Sequence, residues 1–326
     1  KALTDGFRNM QLGNTIKLFL IKIMEDAFYM IVEEQRVNVK HKYDFLKYNL
    51  EYIKNHQTEF EDSPLLMIYY NLSMHFLKTD NDEHFFKAKE YFRKHFSSFS
   101  RIDKKNIYSV MQIYYINKIA LGNNSCNKDF LNFMLEMLKF NILSHKQKDS
   151  IDLNLYRNIL ILCIMEKEIK ILKKFISKYI NFVDIQSRES VYAYSHSQLN
   201  FLQGNFQKAL ELCNSINLKD LLQSTNDNLY FKNDIKALTL KSLFELNAFE
   251  SALSFIDSYK HFLRNTKLIK ADMRDNYFLF ANSVNELIRL KNNFDEFNFI
   301  KFKDKISSSK FTNSNWILEK LNEIKN

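Results

Sequence analysis

Turn-forming residues are almost missing from this chain, which has four glycines and one proline among its 326 residues. Sheet-containing folds use glycine repeatedly at φ > 0 and proline in tight connections, so a β-sandwich, barrel or meander is set aside. A helix interior needs neither residue. The shortage also removes enzyme classes. Gly6, Gly13, Gly122 and Gly204 supply no Walker loop, no dinucleotide fingerprint and no nucleophile elbow. Each of those motifs needs clustered glycines where backbone approaches a phosphate or makes a strained turn.

Cysteine and metal-ligand patterns are sparse too. Cys126, Cys163 and Cys213 are odd in number and widely spaced without a CxxC pair, so they are expected to be reduced, structural thiols of a cytoplasmic protein. None of the eight histidines forms HExxH or pairs with a second His or Cys at ligand spacing. No metal or cofactor is expected, and His196 is read as a packing residue. The segment from Thr79 to His84 has the acids of a calcium loop but not its glycine or distal glutamate, and reads as a helix cap and connection. Glu33 with Glu34, and Asp62 with Glu59 and Glu61, are carboxylates without an acid or base partner, so a glycosidase is not supported. The chain is read as no enzyme.

Long hydrophobic runs are also lacking. A membrane helix needs roughly 18 apolar residues. Thr15 to Val32 is broken by Lys17, Lys22, Glu25 and Asp26, and Ile107 to Leu121 by Lys118. The chain is therefore expected to be soluble, with no membrane span. It opens at Lys1 without a methionine, which leaves room for a removed signal peptide or an upstream domain.

What is abundant is core material: 30 Phe and 17 Tyr lead an apolar fraction of 46%, enough to set disorder aside. The net charge of +9 permits contact with polyanions. Only nine residues are arginine, however, and many lysines stand at helical spacing from acids, as in Glu166, Lys167, Glu168 and Lys170. That is the pattern of a solvated face. Two groups remain as nucleic-acid candidates: the stripe Lys167, Lys170, Lys173, Lys174 and Lys178, and the cluster Arg36, Lys40, His41 and Lys42. Without interleaved aromatics they make nucleic acid the secondary partner class.

The apolar residues recur in a long period. In Phe201-Leu202-Gln203-Gly204-Asn205-Phe206-Gln207-Lys208-Ala209-Leu210, a glycine ends one helix and an aromatic two residues on begins the next, with Ala209 at the closest helix approach. Leu246-Asn247-Ala248-Phe249-Glu250-Ser251-Ala252-Leu253 repeats the pattern with asparagine in place of glycine. Weaker copies align Leu46, Ala88, Phe133, Leu172, Ala209 and Ala252 at spacings of 42, 45, 39, 37 and 43 residues. The second helix of each pair carries an amphipathic stripe, such as Phe249, Ala252, Leu253, Ile256 and Tyr259. Polar breaks at Asn55 to Ser63, Thr79 to Glu83, Ser97 to Lys105, Gly122 to Asp129, Ser144 to Asp149 and Leu218 to Asp234 separate the helices, and Asp62-Ser63-Pro64 marks a helix start.

The glycine, aromatic and Ala-Leu spacing resembles the degenerate tetratricopeptide (TPR-like) repeats, although the pitch is longer than that family's usual length of about 34 residues. Lys236 to Lys241, Phe262-Leu263-Arg264-Asn265 and Arg274-Asp275-Asn276-Tyr277 are similar to such repeat proteins of Bacteroidetes-type bacteria. The resemblance implies an all-α fold, an α-α superhelix or solenoid of about six antiparallel helix pairs. Residues 1–290 are expected to form the array, and 291–326 a tail that is loose from Lys291 to Ser309. A capping helix from about Asn313 to Ile324 is expected to close it, with Trp316 and Leu318 against the preceding helix.

In that family the first helix of each pair lines a concave groove. The same register here puts Tyr69, Ser73, Gln112, Asn154, Arg157, Tyr194, Gln198 and Lys241 on the inner wall. The function implied is a scaffold or adaptor binding a protein or peptide by surface complementarity. A sensing module attached to an upstream DNA-binding or signalling domain is the alternative, with nucleic-acid binding the second.

Overall fold

The structure, a computed structural model, describes residues 2–36, 39–77, 82–120, 124–142, 150–218, 227–266, 269, 271–309, 311 and 313–325. The expected breaks at Gly122 and at Ser144 to Asp149 lie outside the described residues. So do residues 79–81, residues 219–226 and the Arg36 side chain. All regular structure among the described residues is helical, as a chain so short of turn formers requires. The helices gather into two units, residues 1–116 and 117–326.

The first unit holds α1 (Ala2–Arg36), α2 (Asp44–Asn55), α3 (Gln57–Phe60), α4 (Pro64–Leu77), α5 (Glu83–Lys94) and most of α6 (Arg101–Ala120). Pro64 occupies the first position of α4, where its missing N–H costs no hydrogen bond. At the start of α6, Ser100 and Asp103 cap each other. The Ser100 backbone N–H donates to the Asp103 carboxylate at 3.0 Å, and the Asp103 N–H donates back to Ser100 Oγ at 3.1 Å. Helix α4 packs against α1, α2 and α5 and is buried from Leu66 to His75. Phe85 of α5 lies flat on Tyr114 of α6, with ring centroids 3.6 Å apart. Leu46 and Ala88, the contact residues of the sequence alignment, are buried.

The second unit holds α7 (Asn127–Lys139), α8 (Leu153–Met165), α9 (Ile169–Tyr179), α10 (Ile185–Leu202), α11 (Phe206–Ser215), α12 (Asp227–Glu245), α13 (Phe249–Asn265), α14 (Ala271–Asn292), α15 (Glu296–Ser308) and α16 (Ser314–Lys325). Aspartates start three of these helices, with Asp152, Asp184 and Asp295 accepting from the N–H groups of Asn154, Gln186 and Asn298. The hairpins α8–α9, α10–α11 and α12–α13 share one turn. Lys167, Gly204 and Asn247 each take a left-handed conformation, at φ of 54°, 79° and 55°. In all three the N–H of the next residue bonds back to a carbonyl five positions earlier: Glu168 to Cys163, Asn205 to Asn200 and Ala248 to Leu243. This bond satisfies an orphan carbonyl at the helix end and reverses the chain.

Five residues after each turn residue come Leu172, Ala209 and Ala252, all without solvent exposure. The recurrence read from the sequence therefore has a geometric basis. The turn sets the phase of the following helix, and the contact residue falls at a fixed offset from it. Lysine and asparagine fill a place where glycine relieves strain, which is why only one hairpin advertises itself with glycine.

The C-terminal region differs from its expected form. Instead of a loose stretch from Lys291 to Ser309, α15 runs through most of it, capped by Asp295 and burying Phe299, Phe302 and Ile306. That i, i+3, i+7 stripe was present in the sequence but obscured by the exposed Phe297 and Ile300, which break the contrast between faces. Helix α16 matches the expected closing helix in position. Its apolar face is Trp316, Ile317 and Leu321; the helix packs on α14 and on the preceding α15, and the Trp316 ring rests on Phe244 of α12 and Phe280 of α14.

Candidate functional site

Helix α12 is the most enclosed element of the second unit, with every side chain from Ala237 to Phe244 buried. It packs against α8, α10, α11, α13 and α14. Enclosure on all sides would suit a wholly apolar helix. This one instead carries Asp234 and Lys241 in the stripe Phe231, Asp234, Leu238 and Lys241, and both charges need partners.

Asp234 finds Arg157 of α8. The guanidinium donates through Nε to Oδ2 at 2.5 Å and through Nη2 to Oδ1 at 2.8 Å, a bidentate pair. The same guanidinium lies 5.4 Å from the centre of the Tyr230 ring. Burial opposes the arginine's charge, but the Asp234 carboxylate more than offsets it and holds the Arg157 pKa above its ordinary value. Tyr194 of α10 and Tyr277 of α14 stand nearby with hydroxyl pKa values pushed up, first by burial and then by the Asp234 charge. Gln198 donates to the Tyr194 hydroxyl at 3.0 Å. Four helices, α8, α10, α12 and α14, thus meet at one charged cluster.

Lys241 lies two turns further along α12. Its ammonium sits 4.8 Å over the Phe201 ring and 3.4 Å from the Asn313 side-chain oxygen. Burial brings its pKa down to about 8, against the opposing pull of Asp234 and Glu245. One turn further, Glu245 accepts from the Trp316 indole N–H at 2.9 Å and pairs with Lys320 at 2.9 Å, both from α16.

The residues assigned to an inner wall separate into two groups. Tyr69, Ser73 and Gln112 belong to the first unit. Tyr69 and Ser73 are buried in α4, where Ser73 Oγ contacts the Met24 sulfur at 3.5 Å and Phe28 packs on the Tyr69 ring, while Gln112 is half-buried on α6. In the second unit Arg157, Tyr194, Gln198 and Lys241 come together in the charged cluster. Tyr194, Gln198 and Lys241 are buried there. Asn154 is half-buried at the start of α8, one turn before Arg157, with its backbone N–H donating to Asp152.

Two members of the cluster escaped the sequence reading. Asp234 fell at the end of an expected break, although α12 begins at Asp227. The signal for it was a lone acid in an apolar helical stripe. Tyr277 stands in the sequence only as the end of the Arg274-Asp275-Asn276-Tyr277 helix pattern. Elsewhere, His196 is half-buried against the Tyr192 ring, with a pKa lowered by burial. The lysines Lys167, Lys170, Lys173, Lys174 and Lys178 are all exposed. Lys167 pairs with Glu319 of α16 at 3.1 Å. Cys163 and Cys213 are buried free thiols.

Chemically, the cluster is one bidentate ion pair with the Gln198–Tyr194 hydrogen bond and the Tyr277 ring packed near it. Among the described residues no group of three or more His, Cys, Asp or Glu side chains converges as metal ligands would, and no helix is long and apolar enough to cross a membrane. No protein-family model, curated protein or solved structure matches this chain.

Proposed function

We propose that this chain is a TPR-like scaffold or adaptor that binds a protein or peptide across the surface made by the first helices of its hairpins. The observation that supports this reading is the repeated turn. Lys167, Gly204 and Asn247 bring α8, α10 and α12 to their turns in the same way, and Leu172, Ala209 and Ala252 follow at the same offset. Stacked equivalent helices produce an extended surface, and extended surfaces suit macromolecules better than metabolites. In this reading the hairpins form a superhelical stack, and the Arg157–Asp234 pair holds its curvature by tying α8 to α12.

The test is a binding comparison with the full chain. Peptide arrays and short RNA and DNA oligonucleotides are titrated at low and at physiological salt. Peptide binding that persists at physiological salt, with oligonucleotide binding lost, supports the adaptor. Oligonucleotide binding that persists, with a steep salt slope, favours the second reading, in which the exposed lysines of α9 contact phosphates. Absence of peptide binding at both salts overturns the adaptor.

A further inference from the structure

An open groove of about 500 Å³ runs along the outer side of α5, lined by Phe86, Lys89, Glu90, Arg93 and Lys94. These positions fall on adjoining strips of the helix, because steps of three and four residues return to the same side. The core residues Phe85, Ala88 and Phe92 take the other side. At 1.5 Å per residue, Phe86 stands about 6 Å along the axis from Glu90 and about 10–12 Å from Arg93 and Lys94. A ring therefore lies at one end of the groove, an amine and an acid at its middle and two cations at the other end.

Helix α6 holds the first half of this row from behind. Phe86 is 55% exposed, and its ring meets those of Phe85 and Tyr114 near edge-on, with centroids 5.7 and 6.3 Å apart. The half-buried Lys89 donates to the Tyr115 hydroxyl at 2.8 Å. The far half is left unsatisfied. Glu83 and Lys87, four residues apart on α5, close an ion pair at 2.6 Å. Glu90 and Lys94 have the same order and spacing, which is the favourable one for a helix pair. Yet neither they nor Arg93 make an ion pair among the described residues, and all three are exposed.

We infer that this groove binds a nucleoside polyphosphate, with the base on the Phe86 ring, the ribose hydroxyls donating to Glu90 and the phosphates held by Lys89, Arg93 and Lys94. The order of groups along the helix is the order of groups in that ligand. An anchored ring with open surface takes a flat base by stacking. An ionised carboxylate only accepts hydrogen bonds, which suits a pair of hydroxyls and repels a bare anion. One guanidinium and two ammonium groups outnumber that acid and match a phosphate chain. The volume falls in the range of small-molecule sites, roughly 300–1,000 Å³. The inference goes beyond the adaptor reading. It adds a small ligand in the first unit, on a helix that Ala88 marks as the second of its pair, outside the surface assigned to peptide.

Isothermal titration calorimetry of the full chain with ATP, adenosine and inorganic triphosphate tests it. ATP should bind with a Kd below about 1 mM, and adenosine and triphosphate each at least tenfold more weakly. Phe86→Ala and Arg93→Glu alter exposed side chains, so helicity by circular dichroism should not move. Phe86→Ala should weaken ATP binding at least tenfold and leave triphosphate unchanged, while Arg93→Glu should weaken both. Dideoxy-ATP, which lacks the ribose hydroxyls, should bind more weakly than ATP to the unmodified chain and equally to Glu90→Ala. Triphosphate binding as tightly as ATP, Phe86→Ala without effect, or no heat with ATP overturns the proposal. An oligouridylate bound at least tenfold more tightly than ATP, and lost in the same variants, overturns it in favour of a single strand. Peptide titrations contain no nucleotide, so each of these failures is distinguishable from failure of the adaptor reading.

Discussion

Asp234 on α12 is gripped at both carboxylate oxygens by Arg157 on α8, a residue 77 positions earlier in the chain. The pair joins the first helices of two hairpins that have a third between them, so it reports on packing between hairpins and not within one. Both side chains are mostly buried, at 18% and 11% exposure. Removing one partner strands the other charge in a poorly hydrated site.

Arg157→Met is therefore expected to lower unfolding stability by about 3 kcal/mol, the lower end for a broken buried pair. Pairing it with Asp234→Leu should restore most of the loss, because two apolar side chains need no partner. Urea denaturation of the two single variants and the double variant measures this. Additive losses in the double variant would show that the two residues do not depend on each other.

Lys241 gives the fold a pH dependence of known sign. Its folded pKa of about 8 lies below the unfolded value of 10.5, so between those limits the unfolded chain binds the extra proton. Stability at this site therefore rises as pH increases from 8 to 10.5, and the penalty is fully present below 8. Lys241→Met should raise stability at pH 7 by up to about 3 kcal/mol and flatten the rise. Thermal melts of both chains at pH 7 and pH 9.5 show whether the difference narrows at the higher pH.

The turn residues make a pair of opposite predictions. Gly204 has φ of 79° with no heavy atom within 4 Å of an added Cβ, so Gly204→Ala carries a backbone penalty alone, about 1–2 kcal/mol. Lys167 stands in the same conformation with a side chain, and Lys167→Gly should stabilise by about 0.5–1 kcal/mol. Its exposed pairing with Glu319 contributes little against this. Melting temperatures that move the same way in both variants would contradict the shared turn.

Ala252 marks where α12 and α13 approach, and it has no exposed surface. A larger side chain there must push the helices apart. Ala252→Leu should destabilise by about 1–3 kcal/mol, while Leu253→Ala, at a partly exposed position beside it, should cost far less. Denaturation midpoints of the two variants make the comparison.

The helical class, the hairpin phase and the contact residues were legible because each rests on local chemistry. Gly204 and Asn247 tolerate a left-handed turn, Pro64 opens a helix, and Ala209 and Ala252 are small where helices meet. Lys167 in the equivalent turn was not legible, since nothing local marks a lysine for φ of 54°. Helix α15 was missed because Phe297 and Ile300 put apolar residues on its exposed face and blurred the stripe.

The candidate site was legible only as separate residues. Arg157, Tyr194, Gln198 and Lys241 were singled out as polar residues on first helices, without any sign that they face one another or that Asp234 completes them. By itself, the order of residues settles which segments coil and where they turn, because backbone propensity and capping act over a few neighbours. Tertiary packing decides which charges meet and which faces close, including the burial of Glu245 under Trp316 and Lys320. Those outcomes depend on helices distant in the chain excluding water from a shared interior, and no local pattern encodes that exclusion.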